Sequence, residues 1–170
     1  VNKIELPDSQ LFPVETKRIW VDSRSEVNPE VIDQTFDIIR RMASNNIDYG
    51  HILIFTSGNS RMNDIQHRII KDCSRDCSTN YCKVVVISNF DSLIRNSSIQ
   101  DFYDKLDGII QKETQSNRSN SILFVLPIKY LGYASYEQKE IGKNPIQNHP
   151  NVIKVIMATN AIESSITINS

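Results

Sequence analysis

Residues 51–59 read HILIFTSGN, a short apolar run that ends in two hydroxyl side chains and a glycine. The run itself has the length and composition of a buried strand. A helix is expected to begin near Arg61, because apolar side chains recur at helical spacing after it. These side chains are Met62, Ile65 and Ile69. The order of strand, tight loop and helix is typical of a sheet whose strands are connected by helices.

Strands and helices keep alternating on both sides of this stretch. Apolar runs predict further strands at 11–23, 83–90, 121–130 and 152–160, and amphipathic spacing predicts helices at 28–46, 98–114 and 135–144. In the first of these helices, Asn28 is the candidate cap and Pro29 suits the first turn. Because most of the strands are apolar on both faces, the sequence predicts an α/β fold with a mainly parallel sheet between two layers of helices.

Composition limits the functions that this chain can have. Its 170 residues are 39% hydrophobic, which is enough for one domain with a core of ordinary size. Lys and Arg number 19 against 20 Asp and Glu, so bulk charge does not make the chain a nucleic-acid binder and any such contact must be local. Neither a membrane-spanning apolar run nor a secretory leader is found, which predicts no membrane partner and an intracellular, cytoplasmic location, with the nucleus left open.

A group of possible metal ligands occurs near the middle of the chain: His67, Cys73, Cys77 and Cys82. Their gaps differ from the paired C-x2-C spacing of structural zinc sites. His67 also falls off the apolar stripe of its helix and should face solvent. An odd number of cysteines without a secretory signal favours free, reduced thiols. The sequence therefore predicts no metal site.

Two of the predicted strands are followed by similar segments of small polar residues. HILIF is followed by Thr56–Asn59, and VIKVIM is followed by Ala158–Asn160. Each segment offers short hydroxyl or amide groups and free backbone N–H groups beside a glycine or an alanine, a combination that suits phosphate oxygens. Ligands bind beyond the carboxyl ends of parallel strands, which is where both segments lie. Ordinary helix capping is the alternative for each loop taken alone.

Both loops lie in stretches that resemble motifs of one helicase family. GHILIFTSGNSRMNDI at 50–65 is similar to motif IV of the DEAH/RHA-type superfamily 2 helicases, and VIKVIMATNAIESSITI at 152–168 is similar to their motif V. Two shorter stretches resemble the opening of the second RecA-like domain and the LPLY…EQ segment of that family. They are LFPVE at 11–15 and VLPIKYLGYASYEQ at 125–138. Together the matches span about 12–168.

The chain also departs from the family's pattern. The resemblance is weakest around an insertion expected near 83–120. Ile162 after Ala161 reverses the usual order, and Ser60 and Arg61 stand where acidic residues are common in the family. These departures indicate a divergent branch, of the kind carried by large DNA viruses.

The resemblance implies that residues 1–170 are the second RecA-like domain, a three-layer α/β fold, of an ATP-dependent helicase, cut just after motif V. The first RecA-like domain, expected before Val1, would hold most of the ATP and Mg²⁺ and would be this domain's partner. No catalytic residue is expected in the fragment, which alone should not hydrolyse ATP. The sequence agrees in lacking a phosphate loop, since Gly142–Lys143 is followed by Asn144.

The family's site residues map onto the two polar loops. Those that would touch the backbone of the tracking strand, a single strand of RNA or DNA, are Ser57, Gly58, Thr159 and Asn160. The residue that would sense the nucleotide across the domain cleft is Ser165, and Thr167 is a second candidate near the same cleft. Glu163 would either position the motif V loop or cap its helix. The resemblance thus implies one motif that reaches both the nucleic acid and the nucleotide cleft.

A binding module without helicase activity is the alternative. In a flavodoxin-like domain, the Thr56–Asn59 loop would hold a phosphate or another small ligand. Flavin sites usually add aromatic side chains that stack on the ring, whereas the tyrosines at 130, 133 and 136 cluster in a helicase-like segment. Those tyrosines either stack on bases or have a core or surface-loop role.

Overall fold

A computed structural model describes residues 15–20, 28–94, 98–118, 120–131 and 134–159. The helices are α1 (Asn28–Ala43), α2 (Asn59–Cys77), α3 (Phe90–Ile94), α4 (Ile99–Ser116) and α5 (Tyr136–Lys143). The strands are β1 (Ile52–Thr56), β2 (Cys82–Val86), β3 (Ser121–Tyr130) and β4 (Val152–Thr159). From α1 onward this order confirms the predicted elements, except that the strand predicted at 83–90 ends at Val86 and Phe90 begins a helix. Helix α3 was not predicted, because a helix of 5 residues is too short to show a period.

Within the described residues the strands form a 4-stranded sheet in the order β1-β4-β3-β2, and every neighbouring pair is parallel. Helix α2 carries the chain from β1 to β2 over one face, while α4 and α5 carry it back through β3 to β4 over the other face. Right-handed crossovers that step in opposite directions place their helices on opposite faces. The predicted α/β three-layer fold of RecA-like type is therefore confirmed.

Helices α1 and α2 form the first layer. Apolar side chains that recur at helical spacing on both helices pack against alternate residues of the strands. Ile39 of α1, Ile69 of α2 and Val155 of β4 are all fully buried in this core. Asn28 is the first residue of α1, and its side-chain N–H donates to Asp64 of α2 at 2.7 Å. The two helices are thus fixed to one another as well as to the sheet.

The second layer consists of α3, α4 and α5. Phe102 and Leu106 of α4 are fully buried against Phe124 and Leu126 of β3. Strand β2 pairs with β3 along its whole length and forms one edge of the sheet. The segment 83–120, expected as an insertion relative to the helicase family, therefore supplies an edge strand and most of the second layer.

Helices α4 and α5 both begin with a capping box. The hydroxyl of Ser98 accepts from the backbone N–H of Asp101, and the Asp101 carboxylate accepts from the Ser98 N–H. Ser135 and Gln138 make the same reciprocal pair at the start of α5, at 3.2 and 2.9 Å. Each box satisfies two backbone donors that a helix start otherwise leaves free.

The other end of α5 is closed by Lys154 of β4, whose side chain is fully buried. Its ammonium donates to the backbone carbonyls of Ile141, Gly142 and Asn144, at the carboxyl end of α5. Burial lowers the pKa of Lys154 to about 8. Burial, together with the Lys154 charge, also lowers the pKa of His51, whose Nδ1 accepts from the Lys154 backbone N–H at 3.0 Å.

The strand predicted at 11–23 is wrong for the part of it that is described. Residues 15–20 form neither strand nor helix and are exposed, with Trp20 90% accessible. Ile19 and Trp20 are consecutive, so they cannot face the same side of a sheet, and the residues before them are mostly charged. Residues 11–14 and 21–23 of the predicted strand lie outside the described residues.

Candidate functional site

The two strands that end in polar loops are neighbours in the sheet. β1 pairs with β4 in parallel register, and the last pair along the two strands is Thr56 with Thr159. Directly paired residues project to the same face, and Thr56 is buried on the face that α2 covers. Thr159 is half-buried beside it. The register therefore places the strand ends within the two helicase-like motifs side by side.

Helix α2 begins at this edge without a side-chain cap. Its N-cap residue is Gly58, whose backbone is extended and which makes no side-chain cap. The Thr56 hydroxyl instead donates to the Gly58 carbonyl at 3.2 Å. The first N–H groups of a helix have no partner within the helix, and in α2 no side chain of the described residues caps them, which leaves them available to a ligand. Among the described residues, the side-chain capping that was the alternative for the Thr56–Asn59 loop is absent from this helix start.

Space is available above this helix start. Ser57 is exposed and Gly58 is half-buried. A Cβ added at Gly58 would meet no atom of the described residues within 4 Å, so they leave the surface over it open. A ligand backbone can therefore approach Gly58 and the N–H groups that follow it.

The charges near the site are positive. The first turn of α2 contains no acidic residue, and Arg61 is exposed without an ion pair to any residue of the described ranges. Lys129, the next-to-last residue of β3, donates from Nζ to Asn63 Oδ1 at 3.2 Å and so lies over the start of α2. The nearest carboxylate along the helix, Asp64, accepts from the Asn28 side chain. Cations beside free N–H groups attract phosphate.

The structure brings together only part of the predicted site. Ser57, Gly58 and Thr159 lie at the carboxyl edge of β1 and β4. The other residues assigned from motif V fall outside the described residues: Asn160, Glu163, Ser165 and Thr167. Their predicted roles stay predictions.

Two of the three tyrosines in the helicase-like segment are described, and they differ. Tyr130 is half-buried, and its ring lies 3.0 Å from the place where a Cβ on Gly142 would stand. Tyr130 therefore packs on α5, at a position where a side chain larger than glycine would displace it. Tyr136, the first residue of α5, is 69% exposed. Tyr133 lies outside the described part of the chain.

The possible metal ligands do not converge. Within the ranges described, no three His, Cys, Asp or Glu side chains lie close enough to hold a metal ion. His67 is exposed, as predicted, whereas Cys73, Cys77 and Cys82 are free thiols buried in the core. Cys73 and Cys77 share a weak hydrogen bond at 3.8 Å between sulfurs, which with burial raises the pKa of Cys73. Burial also raises the pKa of Cys82. The thiols are packing groups of the first layer.

Thr56 was part of the predicted phosphate-binding loop but not of the strand contacts that the resemblance implies, and Lys129 was not predicted at all. Thr56 joins the site through the pairing of β1 with β4, and no feature of either strand alone gives that pairing. Lys129 belongs to the site because β3 is long enough to bring this side chain to α2. A lysine next to the end of a buried strand is a signal that the sequence did contain, since strand ends are where ligands of parallel sheets bind.

No protein-family model, no curated protein and no solved structure matches this chain. The helicase-like motifs and the geometry of the carboxyl edge are therefore the grounds on which a function can be assigned. In the part of the chain that is described, no helix has both the length and the apolar character needed to cross a bilayer.

Proposed function

We propose that this chain is the second motor domain of an ATP-dependent nucleic-acid helicase, and that the carboxyl edge of β1 and β4 contacts the backbone of a single strand of RNA or DNA. The observation that carries the proposal is the pairing of Thr56 with Thr159. Similarity of two segments to motifs IV and V does not by itself require that they meet. Their meeting at one edge is thus an observation independent of the sequence resemblance.

The chemistry of this edge suits a phosphate backbone. Hydroxyls, free N–H groups and an open glycine hold phosphate oxygens without reading bases, as a motor that moves along any sequence requires. Arg61 and Lys129 add the local positive charge that the nearly neutral composition does not supply. Weak, sequence-independent contacts of this kind position a strand and allow it to slide.

The proposed motor needs a second domain for its chemistry. ATP and Mg²⁺ would be held mainly by a first RecA-like domain, the expected partner, while Ser165 and Thr167 would sense the nucleotide. Thr159 and Asn160 would contact the strand a few residues earlier in the same motif. Under this proposal, hydrolysis is transmitted to the strand through the segment that leaves β4.

Binding of fluorescent single-stranded oligonucleotides of uridine or deoxythymidine to the 170-residue chain tests the strand contact. We expect Thr159→Ala and Ser57→Ala each to weaken binding about three- to tenfold, because each removes one hydrogen bond to a phosphate. Thr114→Ala and Ser116→Ala, near the end of α4, are matched controls and should bind as the wild type does. Lys129→Gln should lower the slope of log Kd against log salt by about 0.7, the value of one phosphate contact.

The outcomes separate the two functional hypotheses. Binding that is lost equally in the control variants, or that does not depend on salt, argues against a strand contact at this edge. A wild-type chain that binds inorganic phosphate or a flavin phosphate but neither oligonucleotide supports the small-ligand module instead. In a longer protein that contains both motor domains, Thr159→Ala should reduce nucleic-acid-stimulated ATPase more than basal ATPase. Equal loss of both activities would contradict the assignment.

A further inference from the structure

An exposed aromatic side chain lies at the same edge of the sheet as the proposed strand contact, on the opposite face. Tyr130 at the end of β3 pairs with Ala158, one residue before Thr159, and α5 begins at Tyr136, a few residues after β3 ends. Helix α5 packs in the second layer, whereas α2 packs in the first. The carboxyl edge therefore has cations and free N–H groups on its α2 side and an aromatic ring on its α5 side.

The Tyr136 ring lies mostly in solvent and has no aromatic partner among the described residues. The side chain is 69% exposed, and the ring contacts of the described residues involve other aromatics. The start of α5 is already fixed by the capping box of Ser135 and Gln138, which surrounds Tyr136 in the sequence without using its side chain. The neighbouring Tyr130, by contrast, is packed against Gly142.

We propose that Tyr136 stacks on a base of the bound single strand, whose phosphates lie toward the start of α2. This inference rests on the proposed function and adds to it a second kind of contact. An aromatic face is sequence-tolerant, because every base has a π-face, so it fits a motor that moves along any sequence. The strand would cross the carboxyl edge with its backbone at Ser57 and Thr159 and one base turned toward α5.

The same stacking contact determines that the ligand is single-stranded. A base that stacks on a side chain must be unpaired and unstacked from its neighbour on that side, which a duplex does not permit without base flipping. Tyr136 therefore selects single strands over duplexes, whereas the contacts to phosphate on the α2 side do not.

Equilibrium binding of the 170-residue chain to oligonucleotides tests this contact through two substitutions and one control. We expect Tyr136→Ala to weaken binding to single-stranded uridine or deoxythymidine oligomers about tenfold, and Tyr136→Phe to restore it. Tyr81, 85% exposed just before β2 at the opposite edge, is the matched control, and Tyr81→Ala should bind as the wild type does. The salt slope should stay the same in Tyr136→Ala, because no phosphate contact is removed.

An oligomer of abasic sites distinguishes base stacking by Tyr136 from a purely structural role of this residue. It keeps the phosphates and removes the stacking surface, so the wild type should lose affinity and Tyr136→Ala should bind both oligomers equally. The inference is overturned if Tyr136→Ala binds like the wild type, if Tyr136→Phe is as weak as Tyr136→Ala, or if the abasic oligomer weakens both proteins by the same factor. A wild type that binds no oligomer overturns the proposed function as well, which distinguishes the two failures.

Discussion

Helices α2 and α5 begin at the same edge of the sheet, on opposite faces. They differ in which side chains form hydrogen bonds with the backbone groups at their ends. α5 has 8 residues, a capping box at its start and the Lys154 ammonium on its last carbonyls. α2 has 19 residues and no side-chain cap at its start. Its far end is closed, because the Ser78 hydroxyl links the Ser74 carbonyl to the Val84 N–H of β2.

The difference follows from how each helix is stabilised. An isolated helix of two turns is unstable in water, so α5 depends on partners for its terminal N–H and C=O groups. α2 buries five side chains along its length and packs on both α1 and the sheet, which stabilises it without a cap. A long, well-packed helix can therefore leave its first N–H groups to a ligand. Three substitutions test this contrast, in decreasing order of their expected effect on the free energy of unfolding.

The largest loss of stability is expected when the carbonyls at the carboxyl end of α5 lose the Lys154 ammonium. Lys154→Met keeps the length of the side chain but leaves the buried carbonyls of Ile141 and Gly142 without their donor. The free energy of unfolding should fall by roughly 2–4 kcal/mol, measured by urea titration at pH 7. Lys112→Met, at an exposed lysine of α4, is the matched control and should change it little. An unchanged stability in Lys154→Met would contradict the role of the ammonium at this helix end.

The free energies of unfolding of the wild type and of Lys154→Met should also depend differently on pH. Burial lowers the pKa of Lys154 to about 8, from 10.5 for an exposed lysine. Between these values the unfolded chain binds more protons than the folded chain, so this lysine makes the free energy of unfolding rise with pH. The stability advantage of the wild type over Lys154→Met should therefore widen from pH 8 to pH 10. A difference that stays constant over this range would show that Lys154 titrates alike in both states.

A smaller effect is expected at the start of α5. Ser135→Ala removes the acceptor of the Gln138 N–H and should lower the free energy of unfolding by about 1 kcal/mol, as for other N-caps. Ser57→Ala is the comparison at the start of α2, where no cap exists, and should change stability by less than 0.5 kcal/mol. Equal destabilisation of the two variants would show that the starts of α2 and α5 do not differ in their dependence on a side-chain cap.

The contrast itself could be predicted only in part. The apolar periods of β1 and α2, and the polar loop Thr56–Asn59 between them, follow from local sequence, because burial and small polar side chains leave a pattern. The helicase resemblance, and not this pattern, singled out Ser57 and Gly58 within the loop. The pairing of Thr56 with Thr159 does not follow from local sequence, since strand order depends on crossovers between distant segments. Nor did the apolar run that contains Lys154 indicate its role, because the carbonyls that bind the ammonium come from another element.

The smallest effect on stability, and the sharpest test of the open helix start, is expected at Gly58. Its backbone is extended and a Cβ there would meet no atom within 4 Å, so Gly58→Ala should change the free energy of unfolding by only a few tenths of a kcal/mol. The methyl group would nevertheless stand where the strand backbone approaches, and binding of single-stranded oligonucleotides should weaken. Gly108→Ala is the control: in the middle of α4, with equally open space, it should raise stability by about 0.5–1 kcal/mol and leave binding unchanged. Unaltered binding in Gly58→Ala would mean that the open start of α2 is not where the strand lies.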